Sequence, residues 1–202
     1  MNKAVKPVFH LLAGPNGAGK STLYRALVAS DTMDSRLEFV NADLYEQANL
    51  QHIADLQKRS EAARDWADGR RDELLKEKST FVSETVFSHE SKLHLISRAQ
   101  TLGFDVVLYV VGIDDPQRLL VRVRRRVQEG GHHVPAQRVL SRYPRTMTNL
   151  KKAVRLADLA FVYDAAEVEH GAHVLQVVCR KDSITVLVAS LPAWVATLLA
   201  AE

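Results

Sequence analysis

The feature that most constrains this chain is a glycine-rich segment near its start. Residues 14–21 read Gly-Pro-Asn-Gly-Ala-Gly-Lys-Ser and match the pattern G-x-x-x-x-G-K-[ST]. An apolar run, Val8–Ala13, precedes the segment, and a run with helical spacing follows it. Glycines allow tight turns in which backbone N–H groups point inward, and the start of a helix adds a positive dipole end. The segment therefore predicts a phosphate-binding loop (Walker A) between a buried strand and a helix.

Each position of this loop has a predicted role in binding a nucleoside triphosphate. Lys20 would reach the β- and γ-phosphates, and the hydroxyl of Ser21 would ligate Mg²⁺. The predicted ATP-binding residues are Gly14, Pro15, Asn16, Gly17, Ala18, Gly19, Lys20, Ser21 and Thr22. We therefore expect ATP and Mg²⁺ as ligands.

Two large classes of P-loop proteins are excluded by motifs that the sequence lacks. ABC transporter ATPases carry a Leu-Ser-Gly-Gly-Gln signature and an apolar strand that ends in Asp-Glu, and neither occurs in the 202 residues. Switch GTPases usually carry an Asn-Lys-x-Asp motif that recognises the base, and it is also missing. Elimination favours a kinase.

The order of apolar and polar runs predicts an α/β fold. Short β-rich runs alternate with helix-like runs, and residues 104–113 are nearly all apolar, as in a central strand covered on both faces. This alternation predicts a three-layer α/β/α sandwich with a mainly parallel sheet, the fold of a kinase-like P-loop NTPase. We expect one domain over residues 1–202 with a helical lid at about residues 116–150. The polar residues 44–78 predict one or two exposed helices.

Composition and charge limit the kinds of partner and the compartment that we expect for this chain. The content of hydrophobic residues is 47% and that of charged residues is 25%, as in ordinary globular proteins. The one cysteine, Cys179, lies in an apolar run, which predicts a buried strand residue and a reducing compartment. No apolar stretch approaches the roughly 20 residues that span a bilayer, so we expect a cytoplasmic protein without a membrane partner. A net charge of +3 and only 6% aromatic residues do not favour nucleic acid.

Two acidic residues follow predicted strands, at the edge where ligands bind in parallel sheets. Asp43 follows the strand predicted at residues 38–41 and is the candidate general base for the acceptor hydroxyl. Its alternative role is the N-cap of the next helix. Glu84 lies near the end of the strand predicted at residues 80–86 and would hold a Mg²⁺-bound water or an acceptor hydroxyl. The alternative for Glu84 is an exposed charge at a strand end.

The predicted lid carries arginines at helical spacing. Arg118, Arg122 and Arg126 share one face of the first lid helix, and Arg138 and Arg142, with Arg145 nearby, belong to the second. Two such helices closing over the triphosphate would neutralise charge that develops during transfer. The alternative is that most of these arginines are solvated, as we expect for Arg124 and Arg125. Residues 130–135, Gly-Gly-His-His-Val-Pro, predict a flexible corner between the helices, and Pro144 predicts a kink or an end in the second helix.

Taken together, these segments resemble the zeta toxin family of P-loop kinases. The resemblance covers roughly residues 8–164 and lies in residues 14–22, Asn41-Ala42-Asp43, Ser83-Glu84-Thr85-Val86-Phe87-Ser88, 122–126, 130–135, 142–150 and Tyr163-Asp164. It implies an ATP-dependent kinase that acts on a hydroxyl of a small molecule. The best-known members phosphorylate UDP-N-acetylglucosamine.

The resemblance also implies roles for individual residues. Asp43 becomes the catalytic base, and Lys20 and Arg126 with Arg142 or Arg145 stabilise the transfer. Asn41, Glu84 and Thr85 become substrate-binding residues that face the acceptor. An antitoxin protein that masks the ATP site becomes a candidate partner. The chain departs from the family at Asn41, where the toxins proper carry an acidic residue, and at Ala165, where short members carry Asn.

Two other functions remain open from the sequence. A kinase that acts on a nucleic-acid end is compatible with the positive lid. A non-catalytic, nucleotide-controlled binding module would bind ATP without acceptor-dependent turnover, and Asp43 would not affect its binding.

Overall fold

The computed structural model describes residues 5–128, 134–167 and 173–200. The strands of these residues form one seven-stranded sheet in the order β2-β3-β1-β4-β5-β6-β7. Their bounds are β1 Val8–Ala13, β2 Glu38–Val40, β3 Phe81–Thr85, β4 Asp105–Gly112, β5 Leu159–Asp164, β6 Val174–Arg180 and β7 Ser183–Val186. Strands β1 to β5 pair in parallel, and β6 and β7 pair antiparallel. The predicted mainly parallel sheet is therefore confirmed.

Helices cover both faces of the sheet. Their bounds are α1 Lys20–Ala29, α2 Ala42–Asn49, α3 Leu56–Glu77, α4 Ser91–Thr101, α5 Pro116–Gln128, α6 Ala136–Leu156 and α7 Ala193–Leu199. One core cluster joins the sheet to α3, α4, α6 and α7, and a second joins its other face to α1 and α5. Successive side chains of β1 point to opposite faces of the sheet, since Leu11 belongs to the first cluster and Leu12 to the second. The molecule thus has the predicted three layers.

The prediction of exposed helices over residues 44–78 is wrong for α3. This helix buries Ala63, Ala67, Arg71, Leu74 and Leu75. These positions recur at intervals of three or four residues, so they lie on one side of the helix. Two small alanines and a charged arginine make this buried side look polar in the sequence.

The second lid helix does not end at Pro144, because α6 continues through this residue to Leu156. A proline removes one backbone donor, but packing on both sides of it can hold a helix together. Val139 before Pro144 and Leu150 after it are fully buried. Tertiary packing thus outweighs the loss of one hydrogen bond.

At the far edge of the sheet, β6 and β7 form a hairpin with Lys181 and Asp182 in its turn. Cys179 on β6 is 3% exposed, which confirms the prediction of a buried strand residue. No helix of the described residues is long and apolar enough to span a bilayer.

The strand order brings the predicted site residues to one edge. Strand β3 lies between β2 and β1, and the carboxyl ends of all three point the same way. Ala13 pairs with Thr85, and Val40 pairs with Ser83. The glycine-rich loop, the segment after β2 and the end of β3 are therefore neighbours.

Candidate active site

The glycine-rich loop connects β1 to α1, and its backbone needs glycine at specific positions. Gly17 and Gly19 have φ values of 81° and 92°, in the left-handed region that favours glycine. A Cβ atom on Gly14 would lie 2.1 Å from the carbonyl oxygen of Val111, so the loop also runs against the end of β4. Lys20 is only 5% exposed, and its Nζ donates to the carbonyl of Pro15 at 3.1 Å. The lysine is thereby folded back over the loop.

Glu84 joins the loop to the ends of β2 and β3. Its Oε2 accepts hydrogen bonds from Ser21 Oγ at 2.7 Å and Asn41 Nδ2 at 2.9 Å. Lys20 Nζ lies 3.5 Å from Glu84 Oε1, and the Glu84 side chain is 13% exposed. The alternative of an exposed charge is therefore wrong, because Glu84 belongs to a partly buried network.

The N-cap role that the sequence left open for Asp43 belongs to Asn41. The side chain of Asn41 accepts from the backbone N–H of Leu44 at 3.1 Å, so Asn41 is the N-cap of α2. Asp43 instead lies in the first turn of that helix and is 41% exposed. Arg126 Nη1 lies 3.6 Å from Asp43 Oδ2. The carboxylate of Asp43 is therefore available to the space above the sheet.

That space is a cavity of about 500 Å³. The predicted site residues that line it are Asn16, Lys20, Asn41, Asp43, Glu84, Thr85, Arg126, Arg142 and Arg145. Two of the nine predicted ATP-binding residues, Asn16 and Lys20, therefore face the same cavity as the predicted acceptor side and three lid arginines. Their individual roles remain predictions.

Two of the lid arginines make other contacts. Arg122 Nη2 donates to the carbonyl of Ala165 at 2.8 Å, and Arg118 Nη2 donates to that of Ala166. Both guanidinium groups thus bind the segment after β5, and neither residue lines the cavity. Residues 130–133 of the predicted flexible corner lie outside the described residues.

A crowded group of arginines forms the outer wall of the cavity. Burial lowers the pKa of Arg142, and the charges of Arg138, Arg145 and Arg64 lower it further, while Asp43 acts in the opposite direction. Like charges held this close repel one another, and a bound anion relieves that repulsion. The wall is therefore suited to a phosphate-bearing ligand.

Several residues that line the cavity were not predicted from the sequence, and three of them are basic: Arg64, Arg71 and Lys92. Arg71 Nη1 donates to Ser83 Oγ at 3.0 Å, and that hydroxyl donates to the carbonyl of Val40 at 3.0 Å. Arg71 thus ties α3 to the strand ends that carry Asn41 and Glu84. The spacing of Ala63, Ala67 and Leu74 is compatible with a buried side of α3, but nothing in the sequence indicates that Arg71 belongs to it.

The backbone is strained where the cavity wall leaves β3. Phe87 lines the cavity, is 1% exposed and has a φ of 64°, a conformation that costs an aromatic residue about 1–2 kcal/mol. Its carbonyl accepts from Asn149 Nδ2 on α6 at 3.1 Å. The helix that carries Arg142 and Arg145 therefore also holds the segment after Glu84.

The oxygen atoms at the loop fit a magnesium ion. A hydroxyl, Ser21 Oγ, and a carboxylate oxygen, Glu84 Oε2, lie side by side, and Mg²⁺ prefers oxygen ligands of this kind. Among the described residues, no group of three or more His, Cys, Asp or Glu side chains could hold a metal. In a P-loop site, the phosphates of the substrate supply further ligands to Mg²⁺.

Solved structures share this fold at low sequence identity. A chain of the PezAT chromosomal toxin–antitoxin system of Streptococcus pneumoniae gives a TM-score of 0.62 at 14% identity, covering 85% of this chain and 71% of that one. A chain of the AvrRxo1-ORF1:-ORF2 complex with ATP gives 0.67 at 19% identity, covering 91% and 61%. A chain of the Pnkp1/Rnl/Hen1 RNA repair complex gives 0.57 at 18% identity, covering 75% and 47%. The chain thus spans about three fifths of the AvrRxo1 chain.

No curated protein matches the sequence. The model of the zeta toxin family, however, matches residues 1–189. The match includes the loop, both acidic strand ends and the two arginine-bearing helices. The chain therefore belongs to the zeta toxin family, and its fold is that of a P-loop phosphotransferase.

Proposed function

We propose that the chain is an ATP-dependent kinase that transfers the γ-phosphoryl group to a hydroxyl of a small molecule. UDP-N-acetylglucosamine is the first acceptor to test. One observation carries the proposal: Asp43, Lys20 and three arginines from two helices line one cavity beside the phosphate-binding loop. The AvrRxo1 complex solved with ATP supports ATP as the donor.

In this proposal, the loop and its neighbours hold the triphosphate. Backbone N–H groups of residues 16–20 surround the β-phosphate, at the positive end of α1. Nζ of Lys20 leaves the carbonyl of Pro15, from which it is 3.1 Å away, and binds the phosphate oxygens. Ser21 and Glu84 would hold Mg²⁺, which offsets negative charge on the phosphates when bound.

Asp43 acts on the acceptor. Its carboxylate takes the proton of the acceptor hydroxyl, whose oxygen forms a bond to the γ-phosphorus. The bond from that phosphorus to the bridging oxygen breaks, and ADP leaves with the bonding electrons. Arg126, 3.6 Å from Asp43, and either Arg142 or Arg145 bind the oxygens of the transferring group. Asn41, Glu84 and Thr85 orient the acceptor.

We also expect an antitoxin protein as a partner and the cytoplasm as the location. The PezAT chain comes from a toxin–antitoxin system, which supports an antitoxin protein as a partner of this chain. Because the reaction consumes ATP, we expect it in the cytoplasm. The similarity to a chain of an RNA repair complex keeps a nucleic-acid end as the second candidate acceptor.

Incubation with ATP, Mg²⁺ and a panel of acceptors tests this function. The panel contains nucleotide sugars, free sugars, nucleosides and oligonucleotides, and mass spectrometry detects an added phosphoryl group. We expect one class of small hydroxyl compound to gain phosphate with the wild-type protein and not with Asp43→Ala. A phosphorylated oligonucleotide would favour the second candidate, and ATP binding without any product would favour a binding module.

A further inference from the structure

A histidine far from the glycine-rich motif contacts the phosphate-binding loop. His173 precedes β6, and its Nε2 lies 3.1 Å from the carbonyl oxygen of Gly19, 154 residues away in sequence. A carbonyl oxygen can only accept a hydrogen bond, so Nε2 carries the proton and donates it. The ring thus joins the antiparallel part of the sheet to the last glycine of the loop.

The carbonyl that His173 contacts belongs to the peptide group between Gly19 and Lys20, at the start of α1. Gly19 is the N-cap of α1 and has no side chain with which to cap the helix. Its carbonyl also accepts the first hydrogen bond of that helix, from the backbone N–H of Leu23 at 2.9 Å. The same peptide group carries the N–H of Lys20, which is one of the donors expected to face the phosphates. The carbonyl oxygen of Gly19 therefore accepts two hydrogen bonds, from His173 and Leu23, while the N–H of the same peptide group is expected to face the phosphates.

Hydrogen bonds linked through one peptide group polarise one another. A donor on the carbonyl of Gly19 withdraws electron density from the peptide group, which makes the N–H of Lys20 a stronger donor toward an anion. The contact also fixes the orientation of this peptide plane, whose preceding residue has a left-handed φ of 92°. Both effects improve phosphate binding without any contact between His173 and the ligand.

The protonation state of the ring agrees with this role. Burial lowers the pKa of His173, the hydrogen bond to Gly19 raises it, and the charge of Arg122 lowers it. The overall direction is downward, so the neutral ring is favoured at neutral pH. The donor is then the neutral Nε2–H tautomer.

We propose that His173 is a positioning residue of the nucleotide site, which orients and polarises the Gly19–Lys20 peptide group through its hydrogen bond to the Gly19 carbonyl. The inference rests on the proposed binding of ATP at the loop. It adds a residue that lies outside the glycine-rich motif and that neither lines the cavity nor touches the acceptor side.

Two substitutions separate this role from simple packing. His173→Leu fills a similar space without a donor, whereas the amide nitrogen of His173→Gln can reach the position of Nε2. Calorimetric titration with ADP and Mg²⁺ measures affinity, and the amide proton shift of Lys20 by NMR reports the polarised peptide group. The control is His10→Leu, because His10 is also half-buried but bonds to the hydroxyl of Tyr109 at 3.2 Å.

We expect His173→Leu to weaken ADP binding about five- to tenfold, the effect of losing one hydrogen bond, and to shift the Lys20 amide proton upfield. His173→Gln should restore both to within about twofold, and the control should bind ADP like the wild type. Wild-type affinity and an unchanged Lys20 amide in His173→Leu would overturn the inference and leave the kinase proposal intact. A wild-type protein that binds no ADP would overturn both.

Discussion

Three polar side chains from two parts of the chain converge on the carboxylate of Glu84. Ser21 and Asn41 donate to one of its oxygens, and Lys20 lies 3.5 Å from the other. A carboxylate with so little solvent exposure depends on these partners, because burial of an uncompensated charge is costly. Glu84 therefore contributes to the stability of the site as well as to its proposed chemistry.

We expect Glu84→Gln to lower the free energy of unfolding by about 1–3 kcal/mol, since it removes hydrogen bonds to a charged group and leaves Lys20 without its counter-charge. Urea denaturation measures the change. Glu90→Gln is the matched control, because Glu90 is 70% exposed and its pairing with Lys152 is at the surface. The control should change stability by less than about 0.5 kcal/mol. Equal effects of the two substitutions would contradict the role of the network.

At the scale of elements, helix α6 carries two kinds of function on one rigid body. Its first half presents Arg142 and Arg145 to the cavity, and its second half holds the strained Phe87 through Asn149. Pro144 lies between these two arginines and has no N–H to donate to the carbonyl four residues earlier. The helix therefore has a local weak point next to its catalytic arginine candidates.

Pro144→Ala should stabilise the protein by about 1–2 kcal/mol, because it restores a backbone hydrogen bond but gives freedom back to the unfolded chain. Chemical denaturation gives the value. Pro192→Ala serves for comparison, since Pro192 is the N-cap of α7 and interrupts no helix. A Pro144→Ala variant less stable than the wild type would show that the proline fits a required bend.

The sequence predicted these elements well where the chain is apolar and less well where charge is buried. The runs that became β1 and β4 have continuous hydrophobic character, so their place in the sheet was readable. The buried side of α3 that contains Arg71 could not be predicted, because the partners of a buried arginine come from other elements. The contact of His173 with Gly19 joins distant residues that carry no shared pattern. Pairwise contacts of this kind depend on the assembled sheet.

For the whole molecule, buried titratable groups set the dependence of stability on pH. Burial lowers the pKa of His10 and His173 below the ordinary value of 6.5. Burial alone would raise the pKa of Asp158, but hydrogen bonds from Val106 N and Gln100 lower it overall below 3.8. The histidines and this carboxylate therefore act in different ranges of pH.

We expect stability to fall in two stages on acidification. Between the lowered histidine pKa values and 6.5, the unfolded chain binds more protons than the folded one, so stability is full above 6.5 and decreases below it. A second loss begins near pH 3.8, because Asp158 then gains a proton in the unfolded chain while its lowered pKa keeps it charged in the folded one. Urea midpoints from pH 8 to pH 3 test this, and His10→Gln should flatten the first stage. A midpoint that stays constant from pH 7 to pH 5 would contradict the account.

In the proposed reaction, Asp43 takes part in phosphoryl transfer and not in the binding of ATP. A comparison of Asp43→Asn with the wild type separates the two, with turnover of the acceptor found by mass spectrometry and calorimetric affinity for ATP as the two readouts. We expect turnover to fall about 10²- to 10⁴-fold while ATP affinity stays within about twofold, because Asp43 serves as a base and not as a phosphate ligand. Unchanged turnover in Asp43→Asn would show that Asp43 is not the base.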